Sequence, residues 1–126
     1  MRLIGVTAGT YAFDFRMILT NVLEQWPGTR YIPDEDRADF TSGRLEIRRD
    51  ANPGYELSVD VLAGGRCLAL DVASPDLAVE LIANLTMTPG FPDDGSVVVA
   101  GWDDYVAPLW CNMTWDEVVD ATALRY

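Results

Sequence analysis

Two stretches of this chain alternate apolar and polar residues without a break, and they accept only one mutual register. Leu45 and Ile47 are interleaved with Arg44, Glu46 and Arg48; Tyr55, Leu57, Val59 and Val61 are interleaved with Glu56, Ser58 and Asp60; Asn52-Pro53-Gly54 lies between them. Successive side chains of a strand leave opposite faces of the sheet, so each stretch has one apolar and one polar face. Paired antiparallel with Arg48 opposite Glu56, the stretches set Arg44 against Asp60, Leu45 against Val59 and Ile47 against Leu57. A slip of one residue turns every apolar set to the wrong face, which fixes the hairpin. Gly64-Gly65 supplies the positive backbone dihedrals of a two-residue turn, after which Leu68, Leu70 and Val72 fall opposite Val61, Val59 and Leu57. Cys67 and Ala69 then point to the other face. A meander with one apolar face needs a second layer to cover it.

Helical periodicity supplies that layer. In residues 13–26, Phe15, Ile18, Leu19, Val22 and Trp26 recur every three to four positions, and Pro27-Gly28 ends the run. Ser74-Pro75-Asp76 opens a second helix with a side-chain cap, a proline whose missing donor costs nothing there, and a carboxylate at the positive end of the helix dipole. Its buried stripe is Leu77, Leu81, Ile82 and Leu85, and Pro89-Gly90 stops it. Thr114-Trp115-Asp116-Glu117 has the spacing of a capping box, which predicts a short last helix over residues 115–121. Further strands are predicted at residues 2–6, 29–32 and 96–100. Residues 33–39 form a polar connection, and residues 101–111 read as an extended stretch interrupted by Pro108, with residues 109–111 pairing at an edge. The expected fold is α+β: one domain over residues 1–126, in two layers, with a mostly antiparallel sheet of about five to six strands. Two long helices and one short C-terminal helix pack on one face of it. With 49% apolar residues in 126, the chain suits a single core.

Composition removes much chemistry. The chain has no histidine, which excludes the usual neutral-pH general base, the Ser-His and Cys-His nucleophile pairs and histidine-based metal sites. It has no lysine either, so neither a Schiff base nor a phosphate-loop lysine is available. Cys67 and Cys111 show no CxxC spacing and are expected to be free thiols. The apolar run near the start is too short for a signal-peptide core and no window reaches a membrane-spanning length, so a cytoplasmic protein with no membrane contact is expected. Asn84-Leu-Thr and Asn112-Met-Thr match the glycosylation acceptor pattern, which carries no meaning without export.

Several local features invite a chemical reading and meet a stronger structural one. Thr7-Ala8-Gly9-Thr10, between the first strand and helix, lacks the glycines and the Gly-Lys-Ser/Thr ending of phosphate-binding loops and reads as an ordinary turn. Asp103, Asp104 and Glu117, with Asp93 and Asp94, offer carboxylates for a divalent ion or acid/base pair, but calcium-loop spacing is missing, and turn and cap duties are commoner. Cys111 beside Trp110 has no histidine to exchange a proton with, so an inert thiol is the simpler reading. The arginines of the strand over residues 44–49, with Arg66 near the next turn, already have matched acids at Glu56 and Asp60 in the hairpin register, and a net charge of −11 repels a phosphate backbone, so no nucleic-acid partner is expected. No catalytic residue, metal ligand or cofactor is assigned.

What remains is electrostatic. Residues 71–126 carry ten acids and one arginine, whereas residues 1–70 carry ten acids and eight arginines. The acidic part also holds Trp102, Tyr105, Trp110 and Trp115. Aromatic anchors ringed by charge of one sign suit a steered interface with a basic protein. The expected function is therefore a small acidic binding domain, an inhibitor or immunity-type antidote, using Trp102, Asp103, Asp104, Tyr105, Trp110 and Glu117. At least one aromatic is expected to be exposed, although Trp115 also suits a staple over the last helix cap. A carboxylate- or metal-using hydrolase or ligand-binding domain is the alternative, and a homo-oligomer is a third arrangement the sequence permits.

Overall fold

In the computed structural model, which describes residues 2–33, 43–48, 56–100 and 106–122, one antiparallel sheet of seven strands is covered by helices. In chain order the elements are β1 (Arg2–Val6), α1 (Phe15–Gln25), β2 (Arg30–Pro33), β3 (Gly43–Ile47), β4 (Leu57–Leu62), β5 (Cys67–Val72), α2 (Pro75–Thr86), β6 (Val97–Ala100), β7 (Val106–Pro108) and α3 (Trp115–Thr122). The sheet order is β2-β3-β4-β5-β1-β6-β7, and every neighbouring pair is antiparallel. The chain is thus α+β, with seven strands where the sequence predicts five to six. The addition is mainly β7.

The central meander has the register that the alternation demands. Arg44 pairs with Asp60, Leu45 with Val59 and Ile47 with Leu57, and across β4 and β5 Val61 pairs with Leu68, Val59 with Leu70 and Leu57 with Val72. Arg44 and Asp60 close an ion pair at 2.9 Å. The turn Asn52-Pro53-Gly54 lies outside the described residues, as does most of the polar connection after β2. The β4–β5 connection differs from expectation. Leu62 pairs with Cys67, so four residues, including a short 3₁₀ turn at Ala63–Gly65, make the link rather than two. The glycines are still required: Gly65 has φ +88°, and a Cβ there would meet the Phe13 carbonyl oxygen at 2.6 Å. That closeness reflects a bond, since the Phe13 N–H donates to the Gly65 carbonyl at 2.7 Å.

This bond also explains why α1 starts later than its periodicity predicts. Phe13 is buried but its backbone belongs to the loop that docks on Gly65; Asp14 then caps the helix, accepting from the N–H groups of Arg16 at 3.0 Å and Met17 at 3.3 Å. Ile4, Leu45, Ile47, Leu57, Val59, Val61, Leu68, Leu70, Val97 and Val99 make the buried face of the sheet. Phe15, Ile18 and Val22 of α1, the four predicted residues of α2, and Val118 and Ala121 of α3 join them in one core. The Phe15 and Tyr31 rings, 5.3 Å apart, lay α1 near β2 and β3, while α2 packs on β5 and α3 on β6 and β7.

The edge forms at β7 and not at residues 109–111. The Leu109 N–H still reaches the Val97 carbonyl at 2.8 Å, but the Leu109 side chain is buried and Asn112, at φ +59°, turns the chain toward α3. No helix among the described residues is long and apolar enough to cross a membrane.

Candidate functional site

The C-terminal acids are organised by a turn that the end of α2 holds in place. Thr86 is fully buried; its carbonyl accepts the Asn112 N–H at 2.9 Å and its hydroxyl accepts the Met113 N–H at 3.1 Å. The Met113 side chain is buried too, and its sulfur receives the Trp110 N–H at 3.5 Å. The turn at residues 110–113 is therefore pinned from below, and it leads into α3, which packs on α2, β6 and β7. The capping box closes as its spacing predicts: the Thr114 N–H donates to Glu117 Oε1 at 3.1 Å, and the Glu117 N–H donates to Thr114 Oγ1 at 3.3 Å.

A second turn lies against the first. Asp94 accepts the Ser96 N–H at 3.0 Å, and Asp93 accepts the Cys111 N–H at 3.3 Å, which ties the lead-in of β6 to the lead-in of α3. Hydrogen bonds from the Ser96 hydroxyl and N–H hold the Asp94 carboxyl below the ordinary aspartate range. The Glu117 carboxyl is likewise lowered, first by the Thr114 N–H, then by its hydroxyl, with the Trp110 indole adding to them. Asp93, Asp94, Asp116 and Asp120 are exposed around these turns. Trp115 stands 38% exposed among them. It is the open indole of this corner and not a staple beneath it.

Two of the six residues predicted for partner binding thus come together, Trp110 and Glu117, and their contacts are internal. Trp110 is half-buried against the core, and Glu117 caps α3 while receiving the Trp110 indole. Trp102, Asp103, Asp104 and Tyr105 lie outside the described residues; the segment that holds them joins Ala100 to Val106, which are partners in the β6–β7 hairpin. Trp115, Asp116 and Asp120 belong to the acidic and aromatic cluster of the sequence but not to the six predicted contact residues, and they are exposed. Their signal is in the helix: after a capping box, the positions that do not face the core are read from the 3.6-residue period, and Val118 and Ala121 mark the buried side.

The rival chemistries find little to work with. Asp14 occupies the first N–H groups of α1, which begins five residues after Thr10, and Thr7 donates both its N–H and its hydroxyl to the Ser96 carbonyl, at 2.7 and 3.0 Å. Cys67 and Cys111 are free and half-buried. At the helix terminus nearest Cys111 the Thr114 and Glu117 N–H groups are engaged in the capping box, and the Asn112 side-chain amide donates to the Cys111 sulfur at 3.3 Å. Arg66 donates to the carbonyls of Gly9 and Tyr11, each at 2.9 Å, and Arg44 is paired with Asp60, so both serve the fold. Among the described residues no three His, Cys, Asp or Glu side chains converge as a metal site would require. An open groove of about 310 Å³ between α1 and α2 is lined by Met17, Asn21, Gln25, Asn84 and Met87 and holds no titratable side chain. The Asn84 amide in it donates to Gln25 Oε1 at 2.7 Å, which engages the residue an acceptor pattern would offer. No family model, curated protein or solved structure matches this chain.

Proposed function

We propose that this chain is a small acidic protein-binding domain of the inhibitor or immunity-antidote kind, which docks on a basic protein and masks its charged cleft. One observation carries the reading: Asp93, Asp94, Asp116 and Asp120 are exposed in a stretch of sequence without a single arginine, and an exposed Trp115 stands among them. Charge of one sign accelerates encounter with a basic surface, and a large aromatic side chain supplies the desolvated anchor that encounter alone lacks. In this reading Asp103 and Asp104 add charge-paired contacts and Trp102 and Tyr105 add anchors. Trp110 and Glu117 shape the turn that presents α3.

The test uses the full chain as bait in extracts of its native cell at low and high salt, followed by association kinetics with the purified partner. A basic protein should be retained at low salt and released at high salt. Asp103→Asn with Asp104→Asn, and separately Asp116→Asn with Asp120→Asn, should slow association at low ionic strength while leaving the fold intact. Association rates that ignore both pairs of substitutions would sink the proposal.

A further inference from the structure

The helices cover one face of the sheet; among the described residues no helix lies on the other, where Ser58 and Ala69 are nonetheless buried, at 3% and 7% exposure. Alternation assigns that second face Leu3, Gly5, Leu62, Cys67, Ala69, Val98, Ala100, Val106 and Pro108 on the β4-to-β7 side, an apolar strip bordered by Asp60, which pairs with Ala69, and by Asp71. Leu3, Leu62 and Val106 are 40%, 43% and 59% exposed, three of the six exposed large apolar side chains among the described residues. Toward β2 the same face carries Arg30, Arg44, Arg48, Glu46, Glu56 and Asp60, three cations and three anions, of which Arg30 sits beside Glu46 and Arg44 beside Asp60. Asp71 adds one more acid. On a chain of net charge −11, this face is therefore close to neutral.

We infer that the helix-free sheet face is the contact surface of a homodimer, in which two copies stack face to face. Two strongly acidic molecules repel wherever acid meets acid, and this face lets them meet with apolar strip on apolar strip and balanced charge beside it. A basic partner gains nothing from an apolar strip, which separates this surface from the acidic corner on α3. Edge-to-edge growth of the sheet is the other way a copy is recruited, and it is obstructed. Since Leu109 donates inward to Val97, Pro108 occupies the position whose N–H would face outward from β7, and Pro33 ends the opposite edge strand. The seven strands offer roughly 500 Å² of sheet on each copy at about 4.8 Å between strands and about 3.3 Å per residue, near 1,000 Å² for the pair, where specific interfaces begin. The dimer is consequently weak and dependent on concentration.

Sedimentation of the full chain across about 1 to about 300 µM should show the mass rising from one copy toward two, and added salt should strengthen the association by screening the net charge. Val106→Glu and Leu62→Glu, both at exposed positions, should each weaken it about tenfold or more. Leu23→Glu, at a 41% exposed position on α1, should leave it unchanged. Thermal melts of each variant separate lost association from lost folding, and Val106→Glu at the sheet edge suffices if Leu62→Glu unfolds. A single copy at every concentration overturns the inference and leaves the face to a different macromolecule. So does a dimer that responds to Leu23→Glu or Trp115→Ala but not to Val106→Glu.

Discussion

At the scale of single residues, the molecule rewards attention to hydrogen bonds that close loops. Thr114 and Glu117 were legible as a capping box from spacing alone, because the reciprocal bonds need only the geometry of one helical turn. Thr114→Ala should cost about 1 kcal/mol in chemical denaturation, the usual loss for a helix cap. The carboxyls of Glu117 and Asp94 are both held below their ordinary range in the folded chain. Each therefore stabilises fully above its unfolded value, near pH 4, and loses that contribution as pH falls through the lower folded value. The melting-temperature gap between the native chain and Glu117→Gln should accordingly shrink as pH is lowered below about 4. Gly65 was legible as a turn glycine, but the reason it tolerates no substitution was not. The contact with Phe13 joins residues far apart in sequence, and Gly65→Ala should destabilise by about 2 kcal/mol or more through positive φ and the clash with the Phe13 carbonyl.

At the scale of elements, legibility follows the strength of the local constraint. The register of β3, β4 and β5 is specified twice over, by an apolar face and by a charged one, and the observed pairs are those the alternation requires. Leu57, Val59 and Leu70 lie at the centre of that agreement and are fully buried. Leu57→Ala should cost about 3 kcal/mol by equilibrium unfolding, whereas Arg44→Ala, which removes a pair with side chains 50% and 31% exposed, should cost no more than about 1 kcal/mol. The boundaries of α1 and β7 were not legible. Phe13 has the apolar character of a helix position but gives its N–H to a distant glycine, and Leu109 has the character of a strand residue but fills the core where the chain turns away. In both places a tertiary contact overrides the local period.

For the whole molecule, the charge imbalance along the sequence becomes an imbalance in space because of the strand order. β6, β7 and α3 come from the acidic stretch and lie together at one end, and β2 and β3, with Arg30 and Arg44, lie at the other. A net charge of −11 also opposes compaction, so the melting temperature at neutral pH should rise with added sodium chloride, and a flat response would mean the acids are offset within the fold. The residues themselves dictated the elements, the central register, the buried stripes and the absence of histidine and lysine chemistry. Each of those depends on residue identity or on neighbours within a strand, a helical turn or a hairpin. Folding in three dimensions settled the rest. It inserted β1 between β5 and β6, added an edge strand, turned Glu117 and Trp110 toward each other while leaving Trp115 outside, and, among the described residues, put the helices on one sheet face. These outcomes arise from contacts between distant segments, whose closure depends on the packing of the complete core and leaves no periodic trace in the chain.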